Sequence, residues 1–308
     1  MRPLIIGTRG SSLAMCQAQI VQTKLEERFP ERPFRLQTIK AQADKNPELS
    51  LTAMTGEGVF VKELEAALLE GRIDLAVHSM KDLPLDLPPT LRIVAVLERE
   101  EPRDAFVSRS GETLNQLPSG ARIGTSSLRR RSQLLHRRRD LQMLDIRGNV
   151  DTRLRKLDEG QYDAIVVAAC GLIRLGLEER ITEYVDFPQM LPEPGQGALA
   201  VETRADDREV LDIVSGLDDA ESRACVEAER SFLRALGGGC RVPIAAYASY
   251  QNGMLQLEGT VVAPDGSAQI RGRLSGEVTE PEALGEALAR QLESQGAREL
   301  LKTEDSRL

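Results

Sequence analysis

The chain has 308 residues, 41% hydrophobic and 29% charged, with a net charge of −8. That length carries two or three domains of ordinary size, the composition excludes a disordered chain, and no apolar run reaches the ~20 residues that span a bilayer. The charge is uneven: from Gly120 to Leu175 eleven Arg and one Lys face six acids, a net +6, so the remainder carries −14.

Leu4 to Thr8 reads as a short apolar strand, and Ser11 or Ser12 caps a helix reaching about Arg28. Phe34 to Lys40 is a second strand. Val61, Leu64 and Leu68 form a helical stripe. Asp74 to Val77 and Arg92 to Leu97 are further strands. The pattern then restarts. Ala121 to Thr125 is a strand, Ser126 or Ser127 caps a helix to about Arg138, Leu141 to Asp145 is a strand, Val150 to Leu157 is helical, and Ala164 to Ala168 is a strand. Two such βα series predict an α/β fold with two doubly wound lobes. Glu101-Pro102-Arg103 and Pro192 to Gly197 read as crossings between the lobes, which predicts a hinged pair with a cleft. From about Asp219 the composition changes. A helix from Glu221 to Leu236 ends in three glycines, strands follow at Ile244 to Ser249, Leu255 to Val262 and Ala268 to Leu274, and a last helix runs from Pro281 to Leu301. This is a small α+β C-terminal domain. The expected division is 1–98 plus 198–216 for lobe 1, 103–192 for lobe 2 and 219–308 for the third domain.

Ligands bind outside the carboxyl ends of strands in open α/β sheets, and polar residues gather at those ends. His78, Ser79, Lys81 and Asp82 follow one strand, and Arg9 and Ser11 follow the first. Gly124-Thr-Ser-Ser-Leu-Arg-Arg130 is a strand, a small-residue turn and a helix start, where free N–H groups and the helix dipole favour an anion. Arg147-Gly148-Asn149 sits at a third strand end, with Arg153 beyond it. At about 100° per residue, Arg131 cannot share a ligand with Arg129, so it and Arg137-Arg138-Arg139 read as solvated faces.

Four cysteines stand at 16, 170, 225 and 240, with no CxxC pair, and the two histidines are His78 and His136. No residue set has metal-ligand spacing. Cys240 follows Gly237-Gly238-Gly239 in a permissive loop, where Arg241 would lower the thiol pKa. It suits either a nucleophile or a cofactor attachment point. A Cys-His hydrolase needs a positioned base, and the scarcity of histidine favours attachment. The other three cysteines read as packing residues.

Several segments together resemble the porphobilinogen deaminase family: Gly7-Thr-Arg-Gly-Ser-Ser-Leu-Ala14, Phe60-Val-Lys-Glu-Leu-Glu65, Val77-His-Ser-Met-Lys-Asp-Leu-Pro84, Arg103-Asp-Ala-Phe106, Gly124 to Arg130, Arg147-Gly-Asn-Val150, Gly195-Gln-Gly197 and Gly239-Cys-Arg-Val-Pro243. They run in the family's order over nearly the whole chain. The resemblance implies two periplasmic-binding-protein-like lobes and a third domain whose cysteine, here Cys240, carries a covalent dipyrromethane cofactor through a thioether. It implies a transferase of porphyrin (haem) biosynthesis that condenses four porphobilinogen molecules onto that primer with loss of ammonia and releases hydroxymethylbilane. Asp82 takes the family's catalytic role, a fixed negative charge and proton shuttle for cationic pyrroles. Besides Cys240, cofactor binding falls to Ser79, Lys81, Thr125, Ser127, Arg129, Arg130 and Gly148, and substrate binding to Arg9, Ser11, Ser126, Arg147, Arg153 and Gln196; no residue is assigned to a metal. Every pyrrole carries an acetate and a propionate, which accounts for the arginines. At Glu57 many relatives have Lys, so no binding role is carried onto Glu57.

The N-terminus shows no long apolar stretch or small-residue cleavage site, so no secretory signal is expected and a cytoplasmic location follows. A monomer is the family expectation, with no membrane or nucleic-acid partner. A two-lobed anion-binding protein without activity is the alternative, but it leaves Cys240 and Asp82 unexplained. Nucleic-acid binding through the Arg-rich segment would need stacking groups, and aromatic residues are only 3%.

Overall fold

The computed structural model describes residues 2–39, 61–239 and 242–301. In chain order its elements are β1 (Leu4–Thr8), α1 (Ser12–Arg28), β2 (Phe34–Thr38), α2 (Lys62–Leu69), β3 (Leu75–Ser79), β4 (Leu91–Val96), β5 (Asp104–Ser108), β6 (Arg122–Gly124), α3 (Leu128–Arg137), β7 (Gln142–Leu144), α4 (Val150–Asp158), β8 (Ala164–Ala168), α5 (Ala169–Arg174), β9 (Glu183–Val185), β10 (Leu199–Arg204), α6 (Arg208–Ser215), α7 (Ala220–Ala235), β11 (Ile244–Gln251), β12 (Met254–Val262), β13 (Gln269–Glu277), α8 (Pro281–Ser294) and α9 (Ala297–Leu301), with 3-10 turns at Met80–Asp82 and Glu178–Arg180. They divide into two compact units, Met1–Glu100 with Ala198–Arg223 and Glu101–Gly197 with Ala224–Leu308.

Unit 1 is built on a five-stranded sheet in the order β2-β1-β3-β10-β4. β1 pairs in parallel with β2 and β3, whereas β10 is antiparallel to β3 and β4. Both faces are covered, as a largely parallel sheet requires. On one face Val21 and Leu25 of α1 and Val210 and Val214 of α6 pack on Leu4, Ile6, Val77 and Val201. On the other, Leu64, Ala67 and Leu68 of α2 pack on Ala76 and Ile73. Gly7 lets α2 come close: a Cβ there would stand 2.3 Å from Ile73 and 3.2 Å from Leu64.

Unit 2 repeats the plan. Its five-stranded sheet runs β7-β6-β8-β5-β9, with β6 parallel to β7 and β8 and β5 antiparallel to β8. Relabelled from its first parallel strand, the order matches that of unit 1. Successive residues of β5 and β8 serve opposite cores, Phe106 and Val166 one, Ala105, Val107, Ile165 and Val167 the other, as the period of two demands. The same unit holds the antiparallel sheet β11-β12-β13, whose Leu255, Leu257 and Val261 meet Phe232 of α7 and Leu288 and Leu292 of α8. Glu229 of α7 is fully buried and joins two segments, accepting from Gly195 N and from Ala248 N, each at 2.7 Å.

The α/β class and doubly wound lobes stand as the sequence patterns predict. Four details differ. β3 continues through His78 and Ser79, because β10 pairs along it as far as Ser79. Strands β5, β9 and β10 and helices α5 and α6 did not show in the patterns. The last helix is broken into α8 and α9 at Gly296, whose φ is +95°. Arg137 and Arg138 are not simply solvated: Arg137 donates to Pro188 O at 2.7 Å, and Arg138 to Leu114 O and Leu117 O at 2.9 and 3.0 Å.

Candidate functional site

In unit 1 the ends of β1 and β3 meet the start of α1. Buried Thr8 donates to Ala14 O at 2.9 Å, and Ser11 caps α1 by accepting from Ala14 N at 3.3 Å. After β3 the chain makes one 3-10 turn, Met80–Asp82, which buries Met80 and leaves Lys81 half-buried and Asp82 exposed. Gln17, buried on α1, donates to Ser79 Oγ at 2.9 Å and fixes that hydroxyl. Together Arg9, Ser11, Gln17, His78, Ser79 and Asp82 line a cavity of about 70 Å³ whose remaining wall is apolar, from Leu13, Val61, Leu64 and Val77 among others. A cation, a carboxylate and hydroxyls on an apolar wall suit a small ring that carries both charges.

In unit 2 the turn after β6 is built alike. Thr125 is buried and accepts from Ser127 N at 3.2 Å, and Ser127 caps α3 through Arg130 N at 3.4 Å. Ser126 Oγ donates to Ile146 O at 2.8 Å and accepts from Ile146 N at 3.1 Å, tying this turn to the one after β7. There Gly148 takes φ +115°, and a Cβ would lie 2.6 Å from Thr152, so the backbone tolerates only glycine. Asn149 caps α4 through Thr152 N at 3.0 Å.

Arg129 and Arg130 are nearly wholly buried, with relative exposures of 4% and 6%, and both grip Asp104 of β5, which is 1% exposed. Arg129 donates to both oxygens at 2.7 and 3.2 Å and to Leu191 O at 2.8 Å. Arg130 donates through Nε to Asp104 at 2.9 Å and reaches Val166 O at 3.3 Å. Gln196 is also fully buried; its amide nitrogen donates to Pro102 O at 2.7 Å and Asp104 Oδ1 at 3.0 Å. Burial opposes ionisation of Asp104, but the two guanidinium groups outweigh it and hold the carboxyl well below the usual carboxylate range. Arg129, Arg130 and Gln196 are thus parts of one internal polar cluster.

Arg153 differs. It is half-buried, its Nε donates to Gly148 O at 2.8 Å, and it forms no ion pair with any acid among the described residues. Desolvation, with the like charge of Arg130, lowers its guanidinium to about 10. Such a cation is stabilised by an incoming carboxylate. Arg147 is exposed one residue before Gly148, and its carbonyl accepts from Lys156 at 3.1 Å. The donor set of Arg153, Arg147 and the capped serine turn therefore fits a ligand bearing several carboxylates. Cys240, Arg241 and Glu57 lie outside the described residues. Cys170 and Cys225 are buried and Cys16 half-buried.

Four buried polar residues that order these units were not singled out as site residues from the sequence. Gln17 stands in the stripe of Val21 and Leu25 at a four-residue spacing, an amide where an apolar side chain is expected. Glu202 is an acid inside the apolar run of β10, and it faces His78 Nε2 at 2.9 Å. Those two were detectable as polar intrusions. Asp104 stood out only as part of the family-like stretch Arg103-Asp-Ala-Phe106, and Glu229 carried no comparable signal.

Residues 4–212 match the family model described as porphobilinogen deaminase, dipyromethane cofactor binding domain, and residues 223–294 match porphobilinogen deaminase, C-terminal domain. The chain is 51% identical over 300 residues to the porphobilinogen deaminase of Desulforudis audaxviator, covering 97% of each. It is 47% identical over 302 residues to that of Thermus thermophilus, covering 98% of this chain and 99% of the other. Among solved structures it is similar to the periplasmic aliphatic sulphonate binding protein of Escherichia coli, with TM-score 0.41, 17% identity, and coverage of 76% of this chain and 70% of that one. The fold class rests on the strand orders given above.

Proposed function

The chain belongs to the porphobilinogen deaminase family, and on that premise we propose that the unit 1 cavity and the Arg153 face of unit 2 are its substrate and cofactor surfaces. The protein condenses four porphobilinogen molecules stepwise onto a covalent dipyrromethane primer, with loss of ammonia, and releases hydroxymethylbilane, a transferase reaction of tetrapyrrole biosynthesis. The observation that carries the residue assignment is Arg153, a desolvated cation with no acid of its own among the described residues.

The dipyrromethane, when bound, supplies the pyrrole from which the product chain grows, held by a thioether to Cys240. In unit 2 the Thr125–Ser127 turn would hold its carboxylates, with Gly148 admitting close approach of the backbone, and Arg153 and Arg147 bind carboxylates of the substrate; in unit 1 Lys81 is the cation assigned to the cofactor. Arg129 and Arg130 act from behind, through the Asp104 and Gln196 cluster, by fixing the start of α3 and adding positive potential. In unit 1, Arg9 and Ser11 bind a substrate carboxylate. Asp82 lies on the same wall and stabilises the positive charge that develops when ammonia leaves; Ser79, fixed by Gln17, orients the ring. The division into lobe 1 (1–98 plus 198–216), lobe 2 (103–192) and a C-terminal domain (219–308), a monomeric state and a cytoplasmic location complete the proposal. Among the described residues no helix is long and apolar enough to cross a membrane.

Ammonia release and hydroxymethylbilane formation from porphobilinogen test the reading. Arg153→Ala raises KM by about tenfold, the loss of one charge-assisted hydrogen-bonded contact, whereas Arg131→Ala, on the exposed side of α3, leaves the kinetics unchanged. Equal KM values for Arg153→Ala and the wild type would remove Arg153 from the site.

A further inference from the structure

His78 and Glu202 form a pair that the assignment above does not use. Their side chains sit on neighbouring strands β3 and β10, on the face that meets α2. His78 Nε2 lies 2.9 Å from Glu202 Oε2, with side-chain exposures of 4% and 0%. This is the one hydrogen bond of the imidazole ring among the described residues. Glu202 Oε1 and Glu65 Oε1 are buried with no hydrogen-bond partner among the described residues. Burial, then the nearby charge of Glu202, raises the Glu65 carboxyl above its usual range, while His78 and Lys62 oppose this. His78 also lines the cavity that Asp82, Arg9 and Ser79 line.

We propose that His78, oriented by Glu202, is a second proton-transfer residue of the unit 1 cavity, accepting at Nδ1 the proton that a pyrrole carbon loses in condensation. The inference rests on the reaction assigned under the preceding heading. An ionised carboxylate only accepts hydrogen bonds, so Nε2 carries the ring proton toward Glu202 and the lone pair stands on Nδ1. A base oriented by a buried acid is the arrangement that activates imidazole elsewhere. Each condensation breaks one carbon–nitrogen bond, releasing ammonia, forms one carbon–carbon bond and breaks one pyrrole carbon–hydrogen bond. The electrons of that last bond restore the aromatic ring, and its proton moves to Nδ1. The resulting imidazolium is balanced by Glu202, and the proton then leaves with ammonia as ammonium. Asp82, on the same cavity wall, stabilises the cationic pyrroles. Glu202 is a positioning residue, and Glu65 adds a second carboxyl behind the pair.

With two histidines in the chain, the holoenzyme gives a ¹⁵N imidazole spectrum of two rings, and His136→Asn assigns them. The neutral His78 ring is expected as the Nε2–H tautomer, and Glu202→Gln is expected to shift it. His78→Gln is expected to lower kcat by about a hundredfold with KM changed less than threefold; Glu202→Gln lowers kcat by a smaller factor. An Nδ1–H tautomer in the wild type overturns the proposal whether or not His78→Gln folds, and so does a kcat for folded His78→Gln within twofold of wild type. A wild type that releases no ammonia from porphobilinogen would instead overturn the reaction beneath it.

Discussion

Asp82→Ala leaves the primer attached and lowers kcat by about 10²–10⁴-fold, the usual worth of a charge or proton-transfer group placed at the reacting atoms. The reason lies in how the residue is presented. β3 is held on one side by β1 and on the other by β10 as far as Ser79. The single 3-10 turn that follows is anchored by buried Met80, so the Asp82 carboxylate projects from a rigid strand end onto the cavity wall. Removing it takes away little packing, because the side chain is exposed. Thermal stability is therefore expected within about 0.5 kcal/mol of wild type, and the loss falls on kcat. Asp82→Ala with near-normal turnover would remove it from the chemistry.

The largest stability effect is expected at Asp104. Asp104→Asn leaves Arg129 and Arg130 buried without a counter-charge, and breaking such a cluster costs about 3–5 kcal/mol. In a chain of 308 residues that lowers Tm by roughly 5–8 °C. The effect depends on pH with a definite sign. The Asp104 carboxyl is held well below its ordinary range in the folded state, against about 3.9 unfolded. Its contribution is thus fully present above about pH 4 and fades as the pH falls below the unfolded value. Melting curves of wild type and Asp104→Asn should differ most at neutral pH and converge in acid. Equal Tm values at pH 7 would show that the cluster does not hold β5 to α3.

The architecture was legible where pattern and position agreed. β1, α1 and the β6–α3 junction are apolar strands followed by Ser caps, and Ser11 and Ser127 do cap their helices. Placing Arg9, Ser11 and Asp82 at strand ends needed only the rule that ligands meet the carboxyl edge of such a sheet. The return strand β10 was missed because Glu202, Thr203 and Arg204 break its apolar run, and β5 because its five residues give no alternation when both faces are buried. Arg129 and Arg130 show a further limit. Local spacing places them at a helix start, where they read as cations facing an anion. Asp104, more than twenty residues earlier, is what turns them inward, and no local pattern reports a partner at that separation. Arg153 shows the converse: in the sequence it is one arginine among many, and its lack of an acid among the described residues appears only in three dimensions.

The covalent primer is the centre of the account, and the intact mass of the purified protein beside Cys240→Ser tests it most directly. The wild type is expected to be heavier than the bare chain by two linked pyrrole units, with that excess absent from Cys240→Ser. A wild-type mass equal to the bare chain, unchanged after incubation with porphobilinogen, would contradict it.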